Sequence, residues 1–171
     1  DDADQKNRVL EAELFDAFGN AVFSKPLETA FAKGGKGKPV KASFSATVPR
    51  VSQWSAETPV LYTLLLALKE KSGKVIEYKA LKIGFRTVEL KNGNMLVNGV
   101  AIMLRGVNRH EFNTDLGRAL TREAMIEDLL VLKRHNINAI RTCHYPDDPK
   151  FYDLCDEYGF YVLCGADLET H

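Results

Sequence analysis

Residues 121–164 read TREAMIEDLLVLKRHNINAIRTCHYPDDPKFYDLCDEYGFYVLC, and helical and strand patterns alternate along them. Thr121 is a good N-cap, and apolar residues recur on one helical face as far as Leu132. A second helical stretch ends at Gly159, and a strand-type apolar run precedes and follows each helix. The order is therefore β-α-β-α-β, in which right-handed crossovers make the strands parallel. The predicted elements are a strand at 102–107, a helix from Thr121, a strand at 139–143, a helix at 150–157 and a strand at 160–164.

This order fits two architectures equally well. An open doubly wound sheet and a closed barrel both begin with parallel strands joined by helices. The pattern alone does not separate them.

The first half of the chain has a different pattern of short strands separated by turns. Alternation or continuous apolar character predicts strands at 9–15, 42–48, 61–68 and 75–83, and the turn residues Gly19-Asn20 indicate a hairpin from the first of these strands into 21–23. Such spacing is typical of a small β-sandwich. We therefore predict a sandwich domain over residues 1–88 and an α/β domain over residues 89–171.

Composition restricts the classes of function. The chain has 171 residues, 45% of them hydrophobic, and 23 basic side chains balance 23 acidic ones. The electrostatic footprint of a nucleic-acid partner is missing, and no apolar run is long enough for a membrane span. The acidic start, Asp1-Asp2-Ala3-Asp4, is unlike a signal peptide. Three cysteines without metal-finger spacing fit reduced thiols, so we expect a soluble, cytoplasmic protein.

Polar clusters follow each of the three predicted parallel strands. They are Asn108-Arg109-His110-Glu111 after the first strand, His144-Tyr145 after the second, and Asp167 with Glu169 and His171 after the third. Parallel α/β folds build their sites at this edge of the sheet. A lone histidine there is usually structural, but burying so many polar groups without partners would be costly. The concentration therefore favours a site.

Two further features leave alternatives open. Glu169 and His171 are one residue apart, so in an extended segment both could bind one metal ion, such as Mg, Mn or Zn. Equally, Glu169 could pair with an arginine and His171 could have no such role. Arg141 lies within a strand that we expect to be buried, so it needs a carboxylate partner, either as a structural ion pair or to orient a catalytic carboxylate.

Seven motifs follow one another along the chain: GFR (84–86), LVNG (96–99), RGVNRHE (105–111), GRA (117–119), NAIRTCHYP (138–146), FYDLCDEYG (151–159) and DLETH (167–171). In order and spacing they resemble the bacterial β-galactosidases of glycoside hydrolase family 2. In the first half the resemblance is thinner and rests on residues 54–59 with Leu61-Tyr62, similar to the end of the immunoglobulin-like domain that precedes the barrel. β-Glucuronidases and β-mannosidases are close relatives, but RHEFN with GRA behind it is more similar to the galactosidases.

The resemblance implies an immunoglobulin-like β-sandwich followed by the first β-α-β-α-β part of a (β/α)8 TIM barrel. It implies a retaining mechanism on terminal β-galactosides such as lactose. His110 and His144 would contact the galactosyl hydroxyls, Arg141 would hold the nucleophile ionised, and Asp167 would lie near the sugar.

For the parent enzyme, the resemblance implies Mg²⁺ held in part by Glu169 and His171, with Na⁺ as a further ion, and a homo-oligomer. The acid/base and nucleophilic Glu would lie beyond His171, so the catalytic carboxylates are absent from this chain and the isolated chain is predicted to be inactive. A full barrel needs about 250 residues, so this chain is expected to be too short to close one. Gly165 stands where the family commonly has Glu, which removes a carboxylate and is expected to loosen the strand end.

Three hypotheses follow. The first is a fragment of a β-galactosidase, with another family 2 glycosidase as its variant. The second is a free-standing β-sandwich that binds sugar or protein. The third is a metal-dependent hydrolase that uses Glu169 and His171 as they stand.

Overall fold

The computed structural model describes residues 7–31 and 40–167. Their contacts divide the chain into two compact units. The first contains the described residues as far as Val51 together with Leu61–Ile83, and the second contains Ser52–Val60 together with the described residues from Gly84 onward. The strands are β1 Arg8–Phe15, β2 Leu27–Ala30, β3 Tyr62–Glu70, β4 Val75–Ile83, β5 Val88–Lys91, β6 Asn94–Val97, β7 Val100–Ala101, β8 Gly106–Arg109, β9 Ala139–Thr142 and β10 Tyr161–Leu163, and the helices are α1 Arg122–Arg134 and α2 Pro149–Tyr158.

The first unit contains an antiparallel sheet with strand order β2-β1-β3-β4. Ala12 and Leu14 on β1 are buried, as their alternation predicts. Glu11 is buried as well, and Lys69 on β3 compensates its charge at an Nζ–Oε1 distance of 2.5 Å. The strands predicted at 9–15, 61–68 and 75–83 are confirmed.

Two strands predicted for the first half are wrong. Residues 21–23 form only a single bridge, Phe15 to Ala21, and β1 pairs instead with β2, which begins directly after Pro26 because proline has no N–H to donate. Residues 42–48 join no sheet, and Ala46 on their predicted apolar face is exposed. In the described residues of this unit there is one sheet, and the second sheet of the predicted immunoglobulin-like sandwich is not among them.

The second unit begins with a three-stranded antiparallel sheet, β5-β6-β7. Asn92-Gly93 and Asn98-Gly99 form its two tight turns, as predicted, and all four residues have positive φ. The chain then leaves this sheet at Ile102, whose N–H bonds to the Met95 carbonyl. The bounds predicted for the strand at 102–107 are therefore wrong. The observed strand, β8, is shorter and begins later in the sequence.

Strands β8, β9 and β10 form a parallel sheet in that order, with α1 and α2 as the connections. The predicted β-α-β-α-β order is confirmed. Thr121 Oγ1 accepts the Ala124 N–H at the start of α1, and α2 ends at Gly159, which has φ +76°. The helices and the sheet share one core of buried residues, Met125, Leu129, Ile140, Phe151, Leu154, Cys155 and Phe160.

Only one face of this parallel sheet is covered. Ile140 points into the core, whereas its neighbour Arg141 is exposed. The strand register places Asn108 and Leu163 beside Arg141 on the same exposed face. The expectation that Arg141 is buried is therefore wrong, because no described element packs on the face from which it projects.

The segment Ser52–Val60, which we call the Trp54 segment, packs within the second unit. Trp54 is buried, donates its indole N–H to the Asp156 carbonyl at 2.9 Å and contacts Tyr161 edge to face. Lys133 Nζ donates to the carbonyls of both Ala56 and Gly159. The segment is therefore tied to α1 and to the end of α2.

Candidate functional site

A groove of about 670 Å³ lies at the carboxyl ends of the parallel strands. His110 follows β8, His144 and Tyr145 follow β9, and Asp167 follows β10. The structure thus brings together one polar cluster from each strand end, as the β-α-β-α-β order requires. The groove is lined by His110, Arg118, His144, Tyr145, Pro146 and Asp167.

His110 and His144 lie edge to face in this groove. Their ring centroids are 5.9 Å apart and the rings are nearly perpendicular, at 89°. His110 is exposed and His144 is half-buried, so both imidazoles are accessible to a ligand. Each imidazole can donate or accept a hydrogen bond, which suits recognition of sugar hydroxyls.

Arg118 is a groove residue that the sequence reasoning missed as a site residue. Its guanidinium carbon lies 4.7 Å from the centroid of the Tyr145 ring, a cation–π distance. A tight turn directs the chain back towards the groove, because Asn113 and Gly117 exchange backbone hydrogen bonds of 2.8 and 2.9 Å. The Asn-x-x-x-Gly spacing before Arg118 is the signal that could have indicated this turn.

The end of β10 packs closely on the end of β9. The Asp167 N–H donates to the His144 carbonyl at 2.9 Å, and the Gly165 N–H donates to Thr142 Oγ1 at 2.8 Å. A Cβ on Gly165 would lie 2.6 Å from the His144 carbonyl carbon, closer than real contacts allow. The expectation that Gly165 loosens this strand end is therefore wrong, since glycine permits the close approach of the two main chains.

Behind the groove, the buried Arg109 pairs with two carboxylates, the buried Asp147 and the half-exposed Asp128. Its Nε and Nη2 lie 3.1 and 3.0 Å from Asp128 Oδ2, and its Nη1 lies 2.7 Å from Asp147 Oδ2. The guanidinium also stacks 4.0 Å above the centroid of Phe151. Burial raises the pKa of the Asp147 carboxyl, and the positive charge of Arg109 opposes that rise.

Arg141 has no such partner. In the part of the chain that the structure describes, its one hydrogen bond to another side chain runs from Nη1 to Cys143 Sγ, at 3.8 Å. The carboxylate partner expected for a buried Arg141 is found instead on Arg109, which projects to the opposite face of the sheet.

The two predicted metal ligands, Glu169 and His171, lie outside the described residues. Within residues 7–31 and 40–167, no three His, Cys, Asp or Glu side chains are grouped so that they could hold a metal ion. In the same ranges, no helix has the length and apolar character that crossing a membrane requires.

Comparison with known proteins identifies the family to which the chain belongs. Residues 1–86 match the family model described as "Glycosyl hydrolases family 2", and residues 88–171 match "Glycosyl hydrolases family 2, TIM barrel domain". The chain belongs to glycosyl hydrolase family 2. This confirms the predicted family and shows that the second half contains the start of its TIM barrel domain.

Individual relatives agree with this assignment. The chain is 48% identical over 169 residues to a β-galactosidase of Priestia megaterium and 45% identical over 167 residues to one of Halalkalibacterium halodurans. Each match covers 98% of this chain but only 16% of the relative, so the chain spans about one sixth of the length of these proteins.

Two solved β-glucuronidase structures superpose on the chain. A Parabacteroides merdae β-glucuronidase matches 94% of this chain and 19% of its own, with 29% identity and a TM-score of 0.76. A Faecalibacterium prausnitzii β-glucuronidase matches 94% of this chain and 24% of its own, with 30% identity and a TM-score of 0.74.

Proposed function

We propose that this chain is part of a retaining β-galactosidase that hydrolyses terminal non-reducing β-D-galactosides such as lactose. The observation that carries the proposal is the 45–48% identity, across 98% of the chain, to proteins named β-galactosidases. The groove at the strand ends supports it, because two imidazoles lie edge to face there. The proposal also assigns the chain to carbohydrate metabolism.

In this proposal the chain contributes to sugar binding and not to bond cleavage. His110 and His144 donate hydrogen bonds to the galactosyl hydroxyls, and these bonds strengthen as the sugar approaches an oxocarbenium-like transition state. Asp167 lies beside the sugar, and Arg141 holds the nucleophilic carboxylate ionised from below. The acid/base and nucleophilic Glu lie on strands outside this chain.

The open face of the parallel sheet supports a larger barrel. Parallel sheets are normally covered on both faces, yet Asn108, Arg141 and Leu163 project from a face that no described element covers. We propose that further strands complete a (β/α)8 barrel around this face. Residues 1–88 would then form an immunoglobulin-like domain and residues 89–171 the opening of the barrel.

Magnesium is part of the proposal. Glu169 and His171 would supply two of its ligands, and their oxygen and nitrogen donors suit such an ion. When bound, the ion would supply positive charge beside the sugar. Calorimetric titration of the chain with Mg²⁺, Mn²⁺ and Zn²⁺ tests whether these two residues alone bind a metal, and binding by the isolated chain would favour the independent metal-dependent hydrolase.

A hybrid enzyme tests the proposed function. The 169 matching residues of the Priestia megaterium β-galactosidase are replaced by those of this chain, and hydrolysis of an aryl β-galactoside is measured. We expect turnover by the hybrid and none above background by the isolated 171 residues. A folded hybrid without turnover, or robust turnover by the isolated chain, would contradict the proposal.

β-Glucuronidase activity is the second candidate, because the superposed structures carry that name. Replacing the matching region of the Parabacteroides merdae enzyme in the same way discriminates the two. If this chain supports aryl β-glucuronide hydrolysis in that hybrid but not aryl β-galactoside hydrolysis in the first, the glucuronidase reading is correct.

The remaining proposals concern the cellular location, the assembly and the partners of the parent enzyme. We propose that the parent enzyme is a cytoplasmic homo-oligomer that binds neither nucleic acid nor membrane. The three cysteines support a reducing compartment, because all of them are free thiols.

A further inference from the structure

The residue before His110 ties the first histidine segment to the second. Arg109 Nη1 lies 2.7 Å from Asp147 Oδ2, and Asp147 follows His144 by three residues. Both partners are buried, with the Asp147 side chain at 0% exposure and that of Arg109 at 7%. The same guanidinium reaches Asp128 on α1, so one side chain joins β8, α1 and the loop after β9.

The residue after His110 makes a second tie to the same loop. The Glu111 carboxylate accepts the N–H of Asp148, with Oε1 and Oε2 at 3.0 and 3.3 Å. Asp148 is the N-cap of α2, where its own side chain accepts the Lys150 N–H. The position of His110 is therefore fixed on both sides with respect to the start of α2.

We propose that Arg109 and Glu111 are positioning residues that hold His110 against His144 in the groove. The two contacts start from the residues on either side of His110. Their partners, Asp147 and Asp148, lie within four residues of His144 in the sequence. The use of these contacts in sugar binding rests on the proposed function, whereas the geometric claim does not.

Stability alone does not account for the network. Buried ion pairs contribute little net stability, since well-packed apolar residues often replace them without loss. Asp147 Oδ1 is moreover buried without a hydrogen-bond partner in the described part of the chain. What such a pair provides is directionality, because a guanidinium fork fixes both the distance and the orientation of the carboxylates that it binds.

Histidine NMR of the 171-residue chain tests the geometric claim directly. The chain has four histidines, so the imidazole signals of His110 and His144 can be assigned by substitution, and His135 at the end of α1 serves as an internal reference. The test variant is Glu111→Ala. Glu157→Ala is its matched control, because Glu157 pairs with Arg122 at an exposed surface position, at 3.4 Å.

We expect Glu111→Ala to move the imidazole signals of both His110 and His144 and to weaken the cross-peak between the two rings. The His135 signals stay in place, and Glu157→Ala moves neither His110 nor His144. Arg109→Lys should have the same effect as Glu111→Ala, because a single ammonium group cannot reproduce the fork between Asp128 and Asp147. If Arg109→Lys unfolds the chain, the comparison of Glu111→Ala with Glu157→Ala still tests the positioning role.

The hybrid enzyme provides the functional readout. Misplacement of a binding group by about 1 Å can cost roughly 100-fold in rate, so we expect Glu111→Ala to lower kcat by about 10- to 100-fold with a smaller change in KM. Glu157→Ala should leave both constants unchanged.

The outcomes separate this inference from the proposed function. If the imidazole signals of His110 and His144 are the same in Glu111→Ala as in the unmodified chain, the positioning role is refuted, whatever the activity of the hybrid. If those signals move while the unmodified hybrid is inactive on both glycosides, the positioning role stands and the proposed function fails.

Discussion

Gly159→Ala tests how the end of α2 is fixed to the Trp54 segment. Gly159 has φ +76°, a left-handed conformation that costs an L-residue roughly 1–2 kcal/mol. A Cβ on residue 159 would also overlap the Ala56 carbonyl oxygen and lie 3.1 Å from the Ala56 carbonyl carbon. That oxygen accepts the Lys133 ammonium at 2.9 Å, a charged hydrogen bond worth about 1.5–3 kcal/mol. The substitution should therefore cost about 2.5–5 kcal/mol in free energy of unfolding.

Gly93→Ala is the matched control, because Gly93 has φ +74° in the turn between β5 and β6 and nothing lies within 4 Å of its added Cβ. It should cost only the backbone term, roughly 1–2 kcal/mol. The assay is urea unfolding followed by the fluorescence of Trp54, the chain's single tryptophan. We expect the midpoint of Gly159→Ala to lie about 1 M below that of Gly93→Ala. Equal midpoints would refute the close approach of Ala56.

Three further predictions concern single side chains. At pH 8 a thiol reagent should modify Cys164 quickly and leave Cys143 and Cys155 unmodified, because the latter two are buried and burial raises the pKa of Cys155 to about 12; fast reaction of more than one thiol would contradict this. The pKa of Asp147 is raised in the folded state, which favours the protonated carboxyl there. The contribution of Asp147 to the free energy of unfolding is therefore full below pH 3.8 and is lost as the pH rises through the higher pKa of the folded state. The stability of the unmodified chain minus that of Asp147→Asn should therefore decrease with rising pH above about 3.8, and an increase would overturn the argument. Thr121→Ala removes the acceptor of the Ala124 N–H and should cost about 1 kcal/mol in thermal unfolding experiments, whereas no change would show that the cap contributes nothing.

The elements of the second unit could be predicted because their signals are local. Thr121 caps α1 through its own hydroxyl, Gly159 ends α2 through its own backbone conformation, and the positive φ of the two Asn-Gly pairs sets the turns of the β5-β6-β7 sheet. The groove followed from topology, since parallel strands bring their carboxyl ends to one edge.

The paired arginine could not be predicted from local pattern. Arg109 and Arg141 both lie in strands, and the register aligns Arg141 with Asn108, so the two arginines project to opposite faces of the sheet. Only the packing of α1 and α2 shows which face is covered. The buried arginine does pair with a carboxylate, but that arginine is Arg109, whereas Arg141 lies on the open face.

Long-range pairing also explains the error in the first unit. Residues 42–48 have the alternation of a strand, but a strand exists only where a neighbour supplies hydrogen bonds, and no strand of the four-stranded sheet pairs with them. In the same way, nothing local to Trp54 predicts its hydrogen bond to Asp156, which lies 102 residues later in the sequence.

The role of the histidine pair is tested most directly by three substitutions in the hybrid enzyme. Each of His110, His144 and His135 is replaced by alanine, and kcat/KM is measured with an aryl β-galactoside. Loss of a hydrogen-bond donor that acts on the transition state lowers the rate by about 100- to 1,000-fold, which we expect for His110→Ala and His144→Ala. His135→Ala, at the exposed C-cap of α1, should stay within about twofold of the unmodified hybrid, since surface changes away from a site rarely matter. If all three variants retain the activity of the unmodified hybrid, the groove is not the sugar site.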